Sequence, residues 1–265
     1  MVAVLFASAS PAIAAAVADP DYQVKLLLSS DAIDSDGAPS AQFRSYFPVL
    51  GEVGSETSVY FDTEDGFYAN NGWSIRLRHK DGAGQYDLTY KYRQPLFSNS
   101  LSKDVIDAGV KQARANNFDS SDTNYRAQVN ASYFTSTLDF SNRKAAACVT
   151  AQCQIPTSKE AIAIVAGEEP GKLTKATGTS LGHTDLRMSQ TVEQKAWRVE
   201  VGGIKTDLEV STFGRQRWVE ISEEETSRKD AVRKRDELIA ALKQSGLLLE
   251  QDAFKTSAVL ASGWQ

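Results

Sequence analysis

The chain has 265 residues, 42% of them hydrophobic and 24% charged, and carries a net charge of −5. That composition suits a globular fold with a sizeable core and lacks the overall basic footprint of a nucleic-acid partner, so any attraction for anions must be local. The two histidines, His79 and His183, have no x-x-x-H partner and no G-x-S-x-G occurs, which excludes a His-based zinc enzyme and weakens a Ser-His-Asp hydrolase.

The first 18 residues, MVAVLFASASPAIAAAVA, contain no charge and end in the small-x-small site Ala16-Val17-Ala18, followed at once by Asp19-Pro20. This reads as a secretory signal peptide, with residues 19–265 as one domain; a buried N-terminal helix is the other reading of so apolar a run. The run is too short to cross a bilayer. The only cysteines, Cys148 and Cys153, lie in CVTAQC, where a disulfide would agree with export to a secreted or periplasmic location. Closing so short a loop stabilises by about 2 kcal/mol in the chain-entropy model. Two thiolates alone cannot complete a tetrahedral metal site.

Residues 21–28 alternate, with Tyr22, Val24, Leu26 and Leu28 on one face and Asp21, Gln23 and Lys25 on the other. A short helix over 41–47 precedes a strand at 58–62, and the turn TEDG follows it. The segment WSIRLRHK (73–80) then points Ile75 and Leu77 one way and Arg76, Arg78 and Lys80 the other. Asp81-Gly82-Ala83-Gly84 is a hairpin turn, and YDLTYKYR (86–93) repeats the pattern with Asp87, Thr89, Lys91 and Arg93 on its polar face. A solvated outer face would explain one such strand. Two paired strands are harder to explain so simply. Like charges two residues apart sit roughly 7 Å from each other and repel by about 2 kcal/mol at an effective dielectric of 20. Open water screens that cost; an enclosed lumen does not, and an anion would have to offset it.

Further on, Ser102 caps a helix over 101–117, and residues 124–134 read as a strand with Arg126, Gln128 and Asn130 on one face. Asn130-Ala131-Ser132 is a glycosylation sequon in a eukaryotic secretory route. Residues 143–182 read as irregular apart from a helix over SKEAIAIVAG. Strands at 193–201, 205–210 and 217–222 follow, the latter two bearing Asp207, Glu209 and Glu220 on polar faces. A helix capped by Ser227 and stopped by Gly246 closes the pattern, its basic run forming a solvated face.

The order of these motifs resembles the CYTH superfamily, the triphosphate tunnel metalloenzymes, from about Asp21 to Leu247. VYFDTEDGFYANNGWSIRLR is similar to that family's signature YFDT…G..LRiR, Thr89-Tyr90-Lys91 to its T-x-K strand, and KTDLEVSTFGRQRWVEIS to its acidic C-terminal strands. The resemblance implies a mostly β (α+β) fold: a closed antiparallel tunnel-like barrel of about eight strands with peripheral helices and a charged lumen. It further implies that Lys25, Arg76, Arg78, Lys91 and Arg93, with Lys195 and Arg198 from a later strand, grip phosphate oxygens. Asp21, Glu209 and Glu220 would hold Mg²⁺ or Mn²⁺. The family's E-x-E-x-K opening reads Asp21-Tyr22-Gln23-Val24-Lys25 here. Its R-x-E-x-E strand reads Arg126-Ala127-Gln128-Val129-Asn130, and its final E-x-E reads Glu220-Ile221-Ser222. Four carboxylates have become Gln23, Gln128, Asn130 and Ser222 while the bases persist, and hard cations favour carboxylates. Two readings follow: an exported metal-dependent phosphohydrolase acting on inorganic or organic triphosphate, or a non-catalytic binder of polyphosphate or another polyanion on the same barrel.

Overall fold

The computed structural model describes residues 20–118, 122–150 and 152–265, so the leader proposed for residues 1–18 lies outside the described residues. The first half of the chain forms β1 (Asp21–Leu27), α1 (Ala41–Tyr46), β2 (Val49–Thr63), α2 (Phe67–Asn70), β3 (Trp73–Lys80), β4 (Gln85–Pro95), α3 (Lys103–Ala115) and β5 (Tyr125–Ala131). The second half forms β6 (Ser136–Ala147), α4 (Ser158–Gly167), α5 (Gly171–Thr177), β7 (Leu186–Met188), β8 (Val192–Val201), β9 (Ile204–Phe213), β10 (Gln216–Glu225), α6 (Arg228–Ser245) and α7 (Lys255–Ala261).

The strands join in the order β3-β4-β6-β5-β1-β10-β9-β8-β2, and β2 pairs back onto β3, so the sheet closes on itself. Short β7 continues β8 along the same edge of β2: Phe61 faces Met188 and Ser58 faces Val192. The expected closed tunnel is therefore present, with nine positions around the ring instead of about eight. The expectation of a wholly antiparallel sheet is corrected at one seam, where β1 and β5 run parallel, Tyr22 opposite Val129. An odd-membered ring cannot alternate strand direction throughout, so one neighbouring pair must be parallel.

Alternation along each strand sends apolar side chains outward, where helices cover them, and polar ones inward. The core thus lies outside the ring, in two main parts. On one side Ile75, Leu77, Leu88, Tyr90, Val129 and Phe140 meet Ile106 and Val110 of α3 and Ala161 and Val165 of α4. On the other, Val24, Leu26, Trp197, Val199, Leu208 and Ile221 meet Phe43 of α1 and Leu238 and Leu242 of α6. The helix ends follow their caps: Ser102 Oγ accepts from the Val105 N–H, Ser227 Oγ from the Asp230 N–H, and Gly246 stops α6 in the left-handed region.

Three stretches differ from the sequence reading. Residues expected to be irregular from 143 onward include the second half of β6, a central strand that pairs with both β4 and β5. β2 begins at Val49 instead of 58, bending through register shifts beside Gly51 and Gly54, whose φ values near +150° favour glycine. Beyond α6 the chain returns over the ring as α7, which the sequence pattern did not reveal.

Candidate anion-binding site

The ring encloses a cavity of about 280 Å³. One wall carries Arg76 and Arg78 from β3, Lys91 and Arg93 from β4, and Arg143 from β6. Cross-strand register sets them in rows: Arg76 faces Thr89, Thr89 faces Arg143, and Ser74 faces Lys91. Across the ring lie Glu209 of β9 and Glu220 of β10, with Lys25 from β1 and Lys255 from the start of α7 between the walls.

The cations fall into two groups. Arg78 is held by Glu56 at 3.1 Å and Asp87 at 3.0 Å. Lys91 and Arg93 share the fully buried Asp139, each at 3.2 Å, and Thr137 Oγ1 donates to the same carboxylate at 2.9 Å. Burial alone would raise the Asp139 carboxyl, but Arg93 and Lys91 hold it below the usual carboxylate range. Lys91 is pushed down to about 8, by burial first and then by Arg93 and Arg76, against the pull of Asp139. By contrast Arg76 and Arg143 make no ion pair among the described residues. Burial lowers the pKa of the Arg143 guanidinium, and so do Arg126, Arg76 and Arg78 around it, although the residue reaches solvent at the mouth.

The lumen also holds unmatched neutral donors. Gln128 and Asn130 are 7% and 8% exposed, and Gln128 Nε2 and Asn130 Nδ2 have no hydrogen-bond partner, nor does Nε of Arg76 or Arg78. A buried donor left unpaired costs about 1–3 kcal/mol, which an oxygen-rich ligand would recover. Asn130 faces this cavity, so its sequon does not present an exposed acceptor for glycosylation.

Of the sequence-predicted bases, Lys25, Arg76, Arg78, Lys91 and Arg93 come together in the cavity. Lys195 does not; it is exposed, on the face of β8 opposite to lumen-lining Gln194. Arg198 also lies off the cavity wall, paired with Asp207 at 2.8 Å. Three participants escaped the sequence reading: Arg143 and Asp139, whose strand was not recognised, and Lys255, a lone lysine past the helix stop. The Thr137-Leu138-Asp139-Phe140-Ser141 alternation was a usable signal for the first two. Nothing local marked Lys255.

The three proposed metal ligands do not form a fitting set. Asp21 is engaged by Arg126 at 2.8 Å and lies off the cavity wall. Glu220 has both oxygens taken: Oε1 by Lys25 at 2.8 Å and Lys255 at 3.3 Å, Oε2 by the Trp218 Nε1–H at 2.8 Å. Glu209 Oε2 lies 3.7 Å from both lysines. Burial would raise the Glu220 carboxyl, yet Lys25 and Lys255 hold it well below the ordinary range; for Glu209, burial outweighs the same lysines and pushes it up. Among the described residues no group of three or more His, Cys, Asp or Glu side chains is placed to hold a metal ion. Mg²⁺ and Mn²⁺ favour oxygen ligands with free negative charge, and here two ammonium groups already cancel two carboxylates.

A closed sheet with a polar, cation-lined lumen and an external core matches the tunnel-like barrel that the sequence motifs imply. Among solved structures, an adenylate cyclase candidate from Bacillus halodurans superposes with a TM-score of 0.50 over 91% of this chain and 97% of its own, at 13% identity. An adenylyl cyclase candidate from Hippeastrum with a dominant triphosphatase activity has a TM-score of 0.47 at 17% identity, covering 91% and 94% of the two chains. No protein-family model and no curated protein matches the chain. The first of these likenesses, at 13% identity, establishes a shared fold alone.

The disulfide expected between Cys148 and Cys153 is formed, with 5.0 Å between the Cα atoms, just beyond the end of β6. No helix among the described residues is long and apolar enough to cross a membrane.

Proposed function

We propose that the lumen captures a linear, multiply charged phosphate-type anion, of which inorganic tripolyphosphate is the simplest example, and does so as a binding protein. The observation that carries this reading is the pair Arg76 and Arg143: two guanidiniums flanking Thr89 on one wall, close enough for Arg76 to perturb Arg143, and neither held in an ion pair among the described residues. Fixed guanidiniums are suited to phosphate oxygens, which they grip through two parallel N–H bonds. Lys91 and Arg93 extend the cationic wall, and the unpaired amide donors of Gln128 and Asn130 supply neutral hydrogen bonds to further oxygens. The lysine-saturated state of Glu209 and Glu220 favours binding over metal-dependent hydrolysis, the other reading of the sequence. Export to a secreted or periplasmic location fits the disulfide and the uncharged residues 1–18.

Calorimetric titration with tripolyphosphate, run beside an assay for released phosphate, tests this reading. Binding without turnover is the expected result. Turnover would restore the phosphohydrolase reading, and the absence of any heat of binding would sink the lumen assignment.

A further inference from the structure

The side chains around Lys255 form a socket that gathers oxygen atoms about a single ammonium group. Four oxygen-bearing groups from three strands converge there: Glu209 and Ser211 of β9, Glu220 of β10 and Gln194 of β8. The Lys255 ammonium donates to Gln194 Oε1 at 2.6 Å and contacts Ser211 Oγ at 3.2 Å, Glu220 Oε1 at 3.3 Å and Glu209 Oε2 at 3.7 Å. An ammonium has only three protons, so this shell uses its whole donor capacity. Lys25 contacts the same two carboxylates, so with both ionised the two ammonium groups balance them.

The segment that delivers Lys255 is docked on both sides of it. Upstream, the Asp252 carboxylate accepts the backbone N–H groups of Tyr133 and Phe134 at 2.8 and 2.9 Å, and the Phe254 ring lies 4.3 Å beneath the Arg93 guanidinium. Downstream, Val259 of α7 is fully buried against Tyr60, Val192 and Phe213. The lysine therefore enters the lumen as a fixed part of the wall.

We infer that Lys255 is a tethered replacement for a divalent cation, and that anion capture in this lumen needs no metal. This rests on the proposed anion-binding function. The two ammonium groups cancel the acidic wall, as a divalent ion would, and leave the anion facing net positive charge. A metal added to the same socket would have to displace Lys255 and leave its charge unpaired in a buried place.

Mn²⁺ binding, read by electron paramagnetic resonance on the full chain, is the direct test, using wild type, Lys255→Met and Lys255→Arg. The Met variant is expected to bind Mn²⁺ at least tenfold more tightly than wild type, and the Arg variant as weakly as wild type. In parallel, tripolyphosphate affinity of the wild type is expected to be unchanged by EDTA. Equal Mn²⁺ affinity in wild type and the Met variant would overturn the inference. So would tripolyphosphate binding that EDTA abolishes and Mn²⁺ restores, an arm that stands even if Lys255→Met fails to fold. Failure of tripolyphosphate to bind in either buffer would remove the anion-binding reading, and the Mn²⁺ comparison would still judge the socket.

Discussion

Gln23 Nε2 donates to Ser222 Oγ at 2.9 Å, joining two positions at which the resembled CYTH motifs carry glutamates. Two carboxylates at that separation would repel unless a cation or a proton sat between them, whereas an amide and a hydroxyl satisfy each other directly. The two departures are thus mutually compensating, and they lie beside the lysine-balanced pair Glu209 and Glu220. The double variant Gln23→Glu/Ser222→Glu should therefore melt below wild type at neutral pH, by roughly 2 kcal/mol or more for an unbalanced pair at an effective dielectric of 20. The deficit should shrink when the buffer is acid enough to protonate one carboxyl. A double variant as stable as wild type at pH 7 would count against this pairing.

Arg76→Gln should weaken tripolyphosphate binding by about 30-fold, the equivalent of one charge-assisted hydrogen-bonding group at about 2 kcal/mol. Lys195→Gln, on the outer face, should leave the affinity unaltered. Arg143→Gln should weaken binding too, yet raise the melting temperature of the ligand-free protein by a few degrees, because relief of like-charge repulsion from Arg76 and Arg126 outweighs any lost contact. Calorimetry and thermal melts on the three variants decide the matter; a ligand-free Arg143→Gln protein that melts lower would mean that the guanidinium is structurally partnered.

The lowered pKa of Lys91 predicts a pH dependence of definite sign. Its folded value is about 8 against 10.5 for the unreacted side chain, so between those limits the unfolded chain binds the extra proton. Its contribution to ligand-free stability rises as pH increases from about 8 to 10.5, by at most about 3 kcal/mol. Anion affinity should move the opposite way, falling above pH 8 as the ammonium is lost, with proton uptake on binding near pH 8. Urea melts of wild type and Lys91→Met across this range isolate the effect as the difference between the two curves. Parallel curves would refute it.

Asp139 is the only carboxylate paired with Lys91 and Arg93 among the described residues, and it is inaccessible to solvent. Asp139→Asn should destabilise the ligand-free protein by about 3–5 kcal/mol, the usual consequence of removing one partner from a buried ionic cluster. Tripolyphosphate should recover part of that loss by supplying negative charge to the two stranded cations. Denaturant titrations with and without the ligand measure both quantities, and a loss below about 1 kcal/mol would show that the cluster is better solvated than its burial implies.

How far the sequence revealed this molecule depended on contrast between the two faces of each strand. β3 and β4 alternate charged with large apolar residues, and their bounds and inward bases could be read directly. The helix over Ser158–Gly167 and the one ending at Gly246 announced themselves through periodicity and caps. β6 was easy to miss because the alternation over Thr137–Ser141 is short, with only Leu138 and Phe140 as large apolar residues before Asn142, and its Ala145–Ala147 tail has no strand signature. Lys195 was misplaced by one residue of register, enough to put it outside. Lys255 was beyond reach for a different reason: its partners Glu209 and Glu220 lie on strands whose proximity to the C-terminal segment is a property of the closed ring alone.

Closure of that ring has a temporal consequence. Among the described residues β1 precedes every other strand, yet one of its edges is completed by β10, whose Glu220 lies 195 residues beyond Lys25. Until that late strand arrives, the early one has an open flank and the lumen has no floor. Such distant pairing slows folding and leaves a sticky intermediate exposed. A chain that crosses a membrane before folding would meet this hazard only after its last strand had followed its first.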